Sequence, residues 1–340
     1  MTNGHNPRGY DPADYRALAN SSLAEALAAE LRFDGKEDAA VFFARELDHV
    51  KAGTYDKIYP EFTALKLFPV PSEVNPGAES VTFYGFEKTG MAAIIHNYGT
   101  DLPRTDTHGV PVTRPVKSLG ASCGYSNQEM RASRLAGKSL DIRKAASAKY
   151  AIDYEINRIA WAGDKRSGLQ GVLSPENDVP VFALKTNAAG TSTKFVDKTP
   201  EEQLRDIAEM VRFTAALTNS VERPDTLALP TEAYLHLFDT PRSADSDLSI
   251  GEWILKNSPR LKKIVEAPEL NPDSGITPYP GTGVGFMFSR DSMKFTIEIP
   301  MPFYQYPVQP RNLEFVVPCE SRMAGAIMFR PLSALIVPGI

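Results

Sequence analysis

A serine flanked by glycines is the strongest sign of possible catalysis in this sequence. The segment Gly120-Ala-Ser122-Cys-Gly124 has the GxSxG spacing of a nucleophile elbow, in which a sharp turn between strand and helix exposes a reactive serine. Such a serine needs a histidine as its base, and the one histidine that follows, His236, lies in the apolar run Tyr234–Phe238. We therefore predict a turn at a strand end around Ser122 and keep a serine hydrolase as the alternative.

Four residues between positions 96 and 108 have side chains of the kind that bind metal ions. They are His96, Asp101, Asp106 and His108. Their spacing matches no recognised metal motif, and turn-forming residues surround them. We predict a polar loop here, with no metal and no cofactor.

Three further segments resemble ligand-binding motifs only in part. Gly163–Leu169 begins like a phosphate loop, but Leu169 stands where the lysine belongs, which favours the end of a helix and a turn. Gly281–Gly285 has GxGxG spacing before a predicted strand, which favours the start of a hairpin over a dinucleotide site. Phe303–Tyr306 could stack on a base, but packing in a core or an interface is the preferred interpretation.

Composition places the chain among ordinary folded proteins. It has 340 residues, 42% hydrophobic and 23% charged, with a net charge of −5. Basic residues are scattered, so we expect no specific recognition of nucleic acid, although a mildly acidic wall is compatible with enclosing DNA. No apolar run is long enough to span a bilayer and the start has no signal core, so we expect neither export nor a membrane partner. Cys123 and Cys319 are predicted to be free thiols, with a disulfide as the alternative.

The first part of the sequence has the features of an arm. Residues 1 to about 55 combine a polar tail with two helical patterns, one of which includes Leu23, Leu27 and Leu31. The proline-bearing stretch Tyr59–Pro71 is predicted to run extended across a surface, because proline removes a donor and disfavours helix before it. We expect this stretch to contribute nothing to the core.

The next region is predicted to form a projecting hairpin. Val81–Tyr84, Met91–Tyr98 and Val110–Leu119 are rich in strand-forming residues, and Asn97–Gly109 has the composition of a turn. The prolines within Val110–Leu119 restrict that run to the edge of a sheet. Since an edge strand has unpaired backbone groups, we expect this region to contact a neighbouring molecule.

Helices and further strands follow, so the fold class is α+β. Ser126 with Glu129 forms a capping box, a helix is predicted over Leu140–Ala162 and ends at Gly163, and Thr199–Glu202 forms a second capping box. Short helices are predicted near Thr231–Phe238 and Ser249–Lys256. Strands are predicted at Thr226–Leu229, Val284–Phe288, Phe295–Ile299, Leu313–Val317, Gly325–Phe329 and Leu335–Val337.

Several segments of the sequence resemble those of known capsid proteins. They are Glu46–Tyr55, Ser72–Gly77, Gly124–Glu129, Ile159–Asp164 and Val317–Arg322, the last followed by Gly325 and Arg330-Pro331. Together with the order of the predicted elements, they make residues 40 to 340 similar to the major capsid proteins of tailed bacteriophages with the Hong Kong 97-type fold.

The resemblance implies a division of the chain into five parts. An N-terminal arm would cover residues 1–77, an extended loop residues 78–122 and a peripheral domain with its spine helix residues 123–218. An axial domain would cover residues 219–310, and residues 311–340 would be strands that return to the peripheral domain. The resemblance also implies a structural protein without an active site, which self-assembles as pentamers and hexamers into an icosahedral shell around phage double-stranded DNA.

The resemblance also implies partners and a location. Scaffolding, portal and decoration proteins are expected partners, with any scaffold a separate protein, and the expected location is the virion capsid, assembled in the bacterial host cytoplasm. Lys88, Arg104 and Arg114 are our candidates for contacts with acidic residues of neighbouring copies. Covalent cross-linking between subunits, known in some family members, cannot be assigned to Lys88. An encapsulin-like shell around a cargo is a further alternative.

Overall fold

The computed structural model describes residues 61–71, 73–90, 104–136, 140–243 and 246–340. The chain divides into two compact units, residues 1–60 and residues 61–340, and only the second contains described residues. The helical patterns predicted before residue 56 and the strand predicted at Met91–Tyr98 therefore lie outside the described residues.

Six α-helices and fourteen strands make up the described part of the chain, which confirms the α+β class. The helices are α1 (Ala64–Leu67), α2 (Asn127–Ala136), α3 (Leu140–Ala162), α4 (Pro200–Leu217), α5 (Thr231–Asp239) and α6 (Ile250–Asn257). The strands are β1 (Ser80–Thr89), β2 (Asp106–Pro115), β3 (Lys117–Ser126), β4 (Gly163–Asp164), β5 (Leu169–Gln170), β6 (Thr226–Leu229), β7 (Lys263–Glu266), β8 (Val284–Phe288), β9 (Phe295–Glu298), β10 (Met301–Gln305), β11 (Gln309–Arg311), β12 (Glu314–Met323), β13 (Gly325–Met328) and β14 (Ala334–Pro338). None of the described helices combines the length and the apolar character needed to cross a membrane.

The strands form four sheets. β1 and β2 form an antiparallel ribbon, β12 pairs with β3 on one side and with β10 and β11 on the other, and the remaining sheets have the orders β4-β5-β13-β9 and β14-β8-β6-β7. The ribbon ends at Pro115, and the next strand joins a different sheet. Residues 106–109 are part of β2, so the turn predicted over Asn97–Gly109 is wrong for its last four residues. The run Val110–Leu119 is divided between two strands, β2 and β3, rather than forming one.

Helix starts follow the predicted capping boxes. At the start of α4, the backbone N–H of Glu202 donates to Thr199 Oγ1 over 3.4 Å, and Glu202 Oε2 accepts from the Thr199 N–H over 2.9 Å. The same reciprocal pair joins Ser126 and Glu129 at the start of α2. These local contacts explain why the two starts could be predicted from four residues each.

The long helix α3 has the predicted bounds and ends at a glycine. Its buried side chains include Ile152, Ile156 and Ile159, which lie on one stripe. Gly163 has a φ of 77°, and a Cβ there would lie 2.7 Å from the backbone nitrogen of Gly171. Only glycine accepts both the conformation and the close approach, so the helix must turn at this residue.

The first hydrophobic core includes part of the predicted arm. Phe68, in the stretch predicted to lie on a surface, is 1% exposed, and its ring centroid is 4.8 Å from that of Trp161 and 5.4 Å from that of Phe288. Ala64 and Leu67 of α1 are also buried in this core. The prediction that Tyr59–Pro71 contributes nothing to the core is wrong for these residues. The proline rules constrain the backbone there but do not determine which apolar side chains are covered.

The same segment is attached to the body by hydrogen bonds. The buried carboxylate of Glu269 accepts from the Thr63 hydroxyl over 2.7 Å and from Asn157 Nδ2 over 2.8 Å. Asn157 Oδ1 in turn accepts from the Ala64 N–H over 3.0 Å. These contacts fix the start of α1 against α3.

The sheet β14-β8-β6-β7 separates two hydrophobic cores. Leu227, Leu229 and Met287 face a second core built with α4, α5 and α6, while Ala228 and Phe286 face the first core. Both faces of β6 and β8 are therefore buried, which explains why their sequences are continuously apolar. The first core is continuous with α3 and with the sheet that contains β12.

Candidate functional site

The serine of the GxSxG segment does not occupy a nucleophile elbow. Ser122 is exposed in the middle of β3, opposite Pro318, and the strand continues to Ser126 before α2 begins. The predicted turn at a strand end is therefore wrong as well. All five residues of the segment pair with β12 instead of bending the chain.

The expected base is occupied elsewhere. His236 Nδ1 is 2.6 Å from the Thr240 hydroxyl, and its Nε2 is 3.3 Å from the carbonyl oxygen of Val196. Both ring nitrogens thus have partners within the second core region, and neither partner is Ser122. The structure does not bring the two residues of the hydrolase alternative together.

Ser122 and Lys144 line the same surface groove, and Lys144 has a structural role there. Lys144 Nζ donates to the carbonyl of Gly124 over 2.6 Å and to Glu129 Oε2 over 2.7 Å, and it lies 5.0 Å from the ring centroid of Tyr125. The hydrogen bond from Lys144, together with that from the Ser126 backbone, lowers the pKa of Glu129. Lys144 therefore ties α3 to β3 and to the start of α2.

The other motifs also take structural roles. Asp106 and His108 lie on β2, and the other two residues of the metal alternative, His96 and Asp101, lie outside the described residues. Within the described ranges, no group of three His, Cys, Asp or Glu side chains could hold a metal ion. Gly163–Gln170 forms the short β4-β5 hairpin, as the predicted helix end and turn require.

Aromatic and thiol groups near β12 are held by local contacts. The Tyr306 hydroxyl donates to Glu320 over 2.7 Å, so this ring is fixed at the sheet edge. Cys123 and Cys319 are free and buried on the neighbouring strands β3 and β12, each with its Sγ 3.9 Å from the Val317 carbonyl oxygen. Burial, with the adjacent Cys123, raises the pKa of the Cys319 thiol. Low reactivity of the Cys319 thiol follows from this environment.

The ribbon of β1 and β2 exposes large apolar side chains. Tyr84 is 64% exposed and Phe86 71% exposed, and their rings stack with centroids 6.3 Å apart. Pro111 lies opposite Tyr84, and the Phe86 ring covers Gly109, where an added Cβ would lie only 2.8 Å from the ring. We call Tyr84, Phe86 and Pro111 the aromatic face of the ribbon. In the described part of the chain, all three of these residues are exposed.

The opposite face of the ribbon contacts the body at its base. Phe83 packs edge-to-face against Phe329, with ring centroids 4.9 Å apart, and Val112 lies opposite Phe83. The ribbon is thus anchored by one face near its base, while its aromatic face points away from that contact because the two faces alternate along a strand.

The three predicted contact residues are separated along the ribbon. Lys88 and Arg104 are exposed near the far end, whereas Arg114 is half-buried at the base, opposite Val81. Burial lowers the pKa of Arg114, and the carboxylates of Asp178 and Glu176 in the same chain oppose this shift. Asp178 and Glu176 of the same chain therefore act on the charge of Arg114, and contacts between copies stay a prediction for all three residues.

The aromatic face was not identified from the sequence. Its signal was present, because Phe83, Tyr84 and Phe86 surround Gly85 within four residues of a strand-like run. Alternation assigns Tyr84 and Phe86 to one face. Only the structure reveals that this face is not covered by the rest of the described chain.

Comparisons with known proteins agree with this architecture. The family model described as major capsid protein matches residues 90–340. The capsid structure of Myoviridae phage XM1 is similar, with a TM-score of 0.73, 19% identity, and coverage of 87% of this chain and 98% of that one. A structure from Mycobacterium phage Ogopogo has a TM-score of 0.58 and 13% identity, and covers 86% of this chain and 96% of its own.

A further similar structure is a virus-like particle from Pyrococcus furiosus. It has a TM-score of 0.53 and 14% identity, and covers 80% of this chain and 91% of its own. Comparison with curated proteins gives no match. The matches establish the Hong Kong 97-type fold for the described body. Because the family model covers most of the chain, the chain belongs to the major capsid protein family, which makes it a structural capsid protein.

Proposed function

We propose that copies of this chain assemble as pentamers and hexamers into a closed icosahedral shell that encloses the double-stranded DNA of a tailed phage. The observation that carries this proposal is the aromatic face of the ribbon, which stays exposed among the described residues while Phe83 anchors the ribbon near its base. The body has two complete cores of its own, so it does not need these side chains for folding. The described part of the chain leaves them exposed, so they are available for contact with another copy.

The energetics support contact through many copies. Covering a large apolar side chain contributes roughly 1.5 to 3 kcal/mol, so Tyr84 and Phe86 together offer a useful part of one interface. A standard interface buries about 1,600 Å² in total, and repeated modest contacts strengthen each other in a closed lattice. The ribbon would lie over a neighbouring subunit with its aromatic face buried.

Contact with a neighbouring subunit is better supported for some charged residues of the ribbon than for others. Lys88 lies on the aromatic face, in register with Thr107, and Arg104 is exposed beside the far end of β2. Both are placed to meet acidic residues of a neighbour when that face docks. Arg114 has carboxylates of its own chain nearby, so we expect it to contribute least between subunits.

The division of the chain into arm, extended loop, peripheral domain, axial domain and return strands is part of this proposal. The ribbon would be part of the extended loop, α3 the spine helix, and residues 219–310 the axial domain near the symmetry axes. The shell would form in the host cytoplasm and enclose DNA without reading its sequence. Scaffolding, portal and decoration proteins would be its partners, and no catalysis or cofactor is required.

A cargo compartment is the second candidate. The similarity to a structure described as a virus-like particle from Pyrococcus furiosus favours it, because this fold is also found in a particle of that description. The two candidates differ in their contents. Particles purified from the native source would contain DNA and portal protein in the first case, and a protein cargo in the second.

Negative-stain electron microscopy with light scattering, on the protein expressed alone, tests assembly. We expect closed shells, tubes, or discrete pentamers and hexamers. A protein that stays monomeric or dimeric at all salt concentrations, and also after addition of a scaffolding protein, would contradict the proposal.

A further inference from the structure

A groove of about 400 Å³ lies between α4 and α6 on the outside of the second core. Its walls include the apolar side chains of Leu204, Val211 and Trp253, which are half-buried. Apolar side chains at such a surface favour a ligand or partner that covers them. The groove lies far along the chain from the ribbon and does not involve the aromatic face.

Arginines without acidic partners surround the groove. Arg212 and Arg260 line it, and the Arg242 guanidinium lies 4.5 Å from the ring centroid of Trp253. Arg260 Nη1 is buried without a hydrogen-bond acceptor, while its Nη2 is 3.5 Å from the Ser220 hydroxyl. Among the described carboxylates, none forms an ion pair with any of these three arginines. Guanidinium groups form strong charge-assisted hydrogen bonds with carboxylates, so a groove lined by Arg212 and Arg260 favours an occupant that carries a carboxylate.

Helix α5 carries a surface with the complementary character. Glu232, Leu235 and Asp239 are exposed at spacings of three and four residues, which places them on one side of the helix. Leu235 is 49% exposed, whereas Ala233 and Leu237 on the other side are buried in the second core. This acidic stripe combines one apolar side chain with two carboxylates.

We propose that the acidic stripe of one copy docks into the groove of a second copy. Leu235 would enter between the apolar walls, and the carboxylates of Glu232 and Asp239 would meet the arginines that lack partners. The inference rests on the proposed function, since it names a contact between shell subunits. Because stripe and groove are different patches, the contact is head-to-tail and repeats around a rotation axis, as a pentamer or hexamer requires.

Charge reversal of each patch tests this contact. Variant A carries Arg212→Glu and Arg260→Glu in the groove, and variant B carries Glu232→Arg and Asp239→Arg in the stripe. Like charges would then face each other, so each variant alone should lose ring species on the order of tenfold or more in native mass spectrometry. The chain with all four substitutions should recover rings. Lys256→Glu, an exposed reversal on α6 outside the groove, is the matched control and should leave rings unchanged.

Mixing the two variants gives a sharper result. In an alternating ring, every groove of variant A meets a stripe of variant B, and every unmodified groove meets an unmodified stripe. A ring with an even number of subunits satisfies all contacts, whereas a five-membered ring must contain one mismatched contact. The mixture should therefore restore hexamers more strongly than pentamers.

Tryptophan fluorescence reports on the groove itself. The chain has two tryptophans, and Trp161 is fully buried, so acrylamide quenching reports mainly on Trp253. Quenching should fall at least about twofold when rings form, because docking covers the groove. Rings that form with unchanged quenching would overturn the inference, as would rings of variant A or B at the wild-type level.

The outcomes separate this inference from the proposed function. Circular dichroism first confirms that each variant is folded, and the fourfold variant shows whether the substitutions are tolerated together. Wild-type shells whose assembly resists both reversals would overturn the stripe-groove contact alone. Assembly that requires an added acidic scaffolding protein, and that variant B undergoes as well as the wild type, would do the same, since it would identify another occupant of the groove. A wild-type chain that never assembles would contradict the proposed function.

Discussion

The first core and the ribbon use aromatic residues in opposite ways. In the core, the rings of Phe68, Trp161 and Phe288 contact one another and are almost fully buried. On the ribbon, Tyr84 and Phe86 contact each other but are largely exposed. The same residue types therefore stabilise the subunit in one region and remain available to other copies in the second region.

The surrounding strands explain this difference. In the core, β8 has strands on both sides and packed layers on both faces, so its aromatic side chains are covered within the subunit. The ribbon has only two strands, and such a hairpin is marginally stable by itself. Its base is anchored by Phe83 against Phe329, which leaves the far end and the aromatic face without support from the described body.

The largest effect is expected from removal of a core ring. Phe68→Ala should lower the free energy of unfolding of the unassembled subunit by about 4 kcal/mol, because it leaves a cavity between α1 and the body. Urea denaturation followed by the fluorescence of the two tryptophans measures this loss. A loss below about 1 kcal/mol would show that the segment containing Phe68 is not an essential part of the core.

The next effect concerns a buried ion pair beside α4. Lys198 Nζ lies 2.5 Å from Asp206 Oδ2, and both side chains are almost completely buried. Asp206→Ala should lower the free energy of unfolding by about 3 kcal/mol, because it leaves the lysine charge unpaired. The double variant Lys198→Met/Asp206→Leu should recover most of this loss in the same denaturation assay. If the double variant does not recover stability, the loss in Asp206→Ala comes from a change in α4 and not from the unpaired charge of Lys198.

A smaller and pH-dependent effect is expected at β9. Glu298 is buried, its Oε2 has no hydrogen-bond partner among the described residues, and burial raises its pKa, with the charge of Glu73 acting in the same direction. A carboxyl whose pKa is raised on folding destabilises the fold where it is ionised, and this cost disappears as the pH falls through its raised pKa.

Glu298→Gln should therefore raise the free energy of unfolding by roughly 1 kcal/mol at neutral pH and by much less in acid. Thermal or urea unfolding from pH 4 to pH 8 measures the difference between variant and wild type. A difference that stays constant with pH would contradict the assigned titration. Glu73→Gln, on the exposed neighbour, should give a weaker change of the same sign.

The smallest effect on subunit stability is expected on the ribbon. Tyr84→Ser/Phe86→Ser should change the free energy of unfolding by less than about 0.5 kcal/mol, since both side chains are exposed. The same variant should assemble poorly, as seen by light scattering, because its aromatic face is replaced. Met293→Ser, at an exposed apolar site on the body, is the matched control and should assemble normally. Normal assembly of the double variant would contradict the claim that the exposed rings of the ribbon serve contacts between copies while the buried rings serve the core.

Local signals in the sequence predicted the elements well. The bounds of α3 and β8 agree with the prediction. A glycine with positive φ ends α3, and turn residues flank β8. The capping boxes before α2 and α4 involve contacts within four residues, which sequence alone displays. The bounds of such elements depend little on contacts with distant parts of the chain.

Long-range contacts were not predictable in the same way. The pairing of Ser122 with Pro318 joins residues almost 200 positions apart, so the sequence could not place Ser122 in the middle of a strand. The burial of Phe68 likewise depends on α3 and β8. For the candidate site, alternation could assign Tyr84 and Phe86 to one face, but whether that face is covered is a property of the folded chain. The contacts predicted for Lys88 and Arg104 remain predictions.

Hydroxyl-radical footprinting of Tyr84 and Phe86, before and after assembly, tests the central claim most directly. Both rings are exposed in the single subunit, so they should be oxidised readily in the unassembled protein. We predict strong protection of both in assembled shells, while the exposed side chain of Met293 serves as the internal reference. Equal oxidation of both rings in subunits and in closed shells would contradict the claim that the aromatic face is buried between copies.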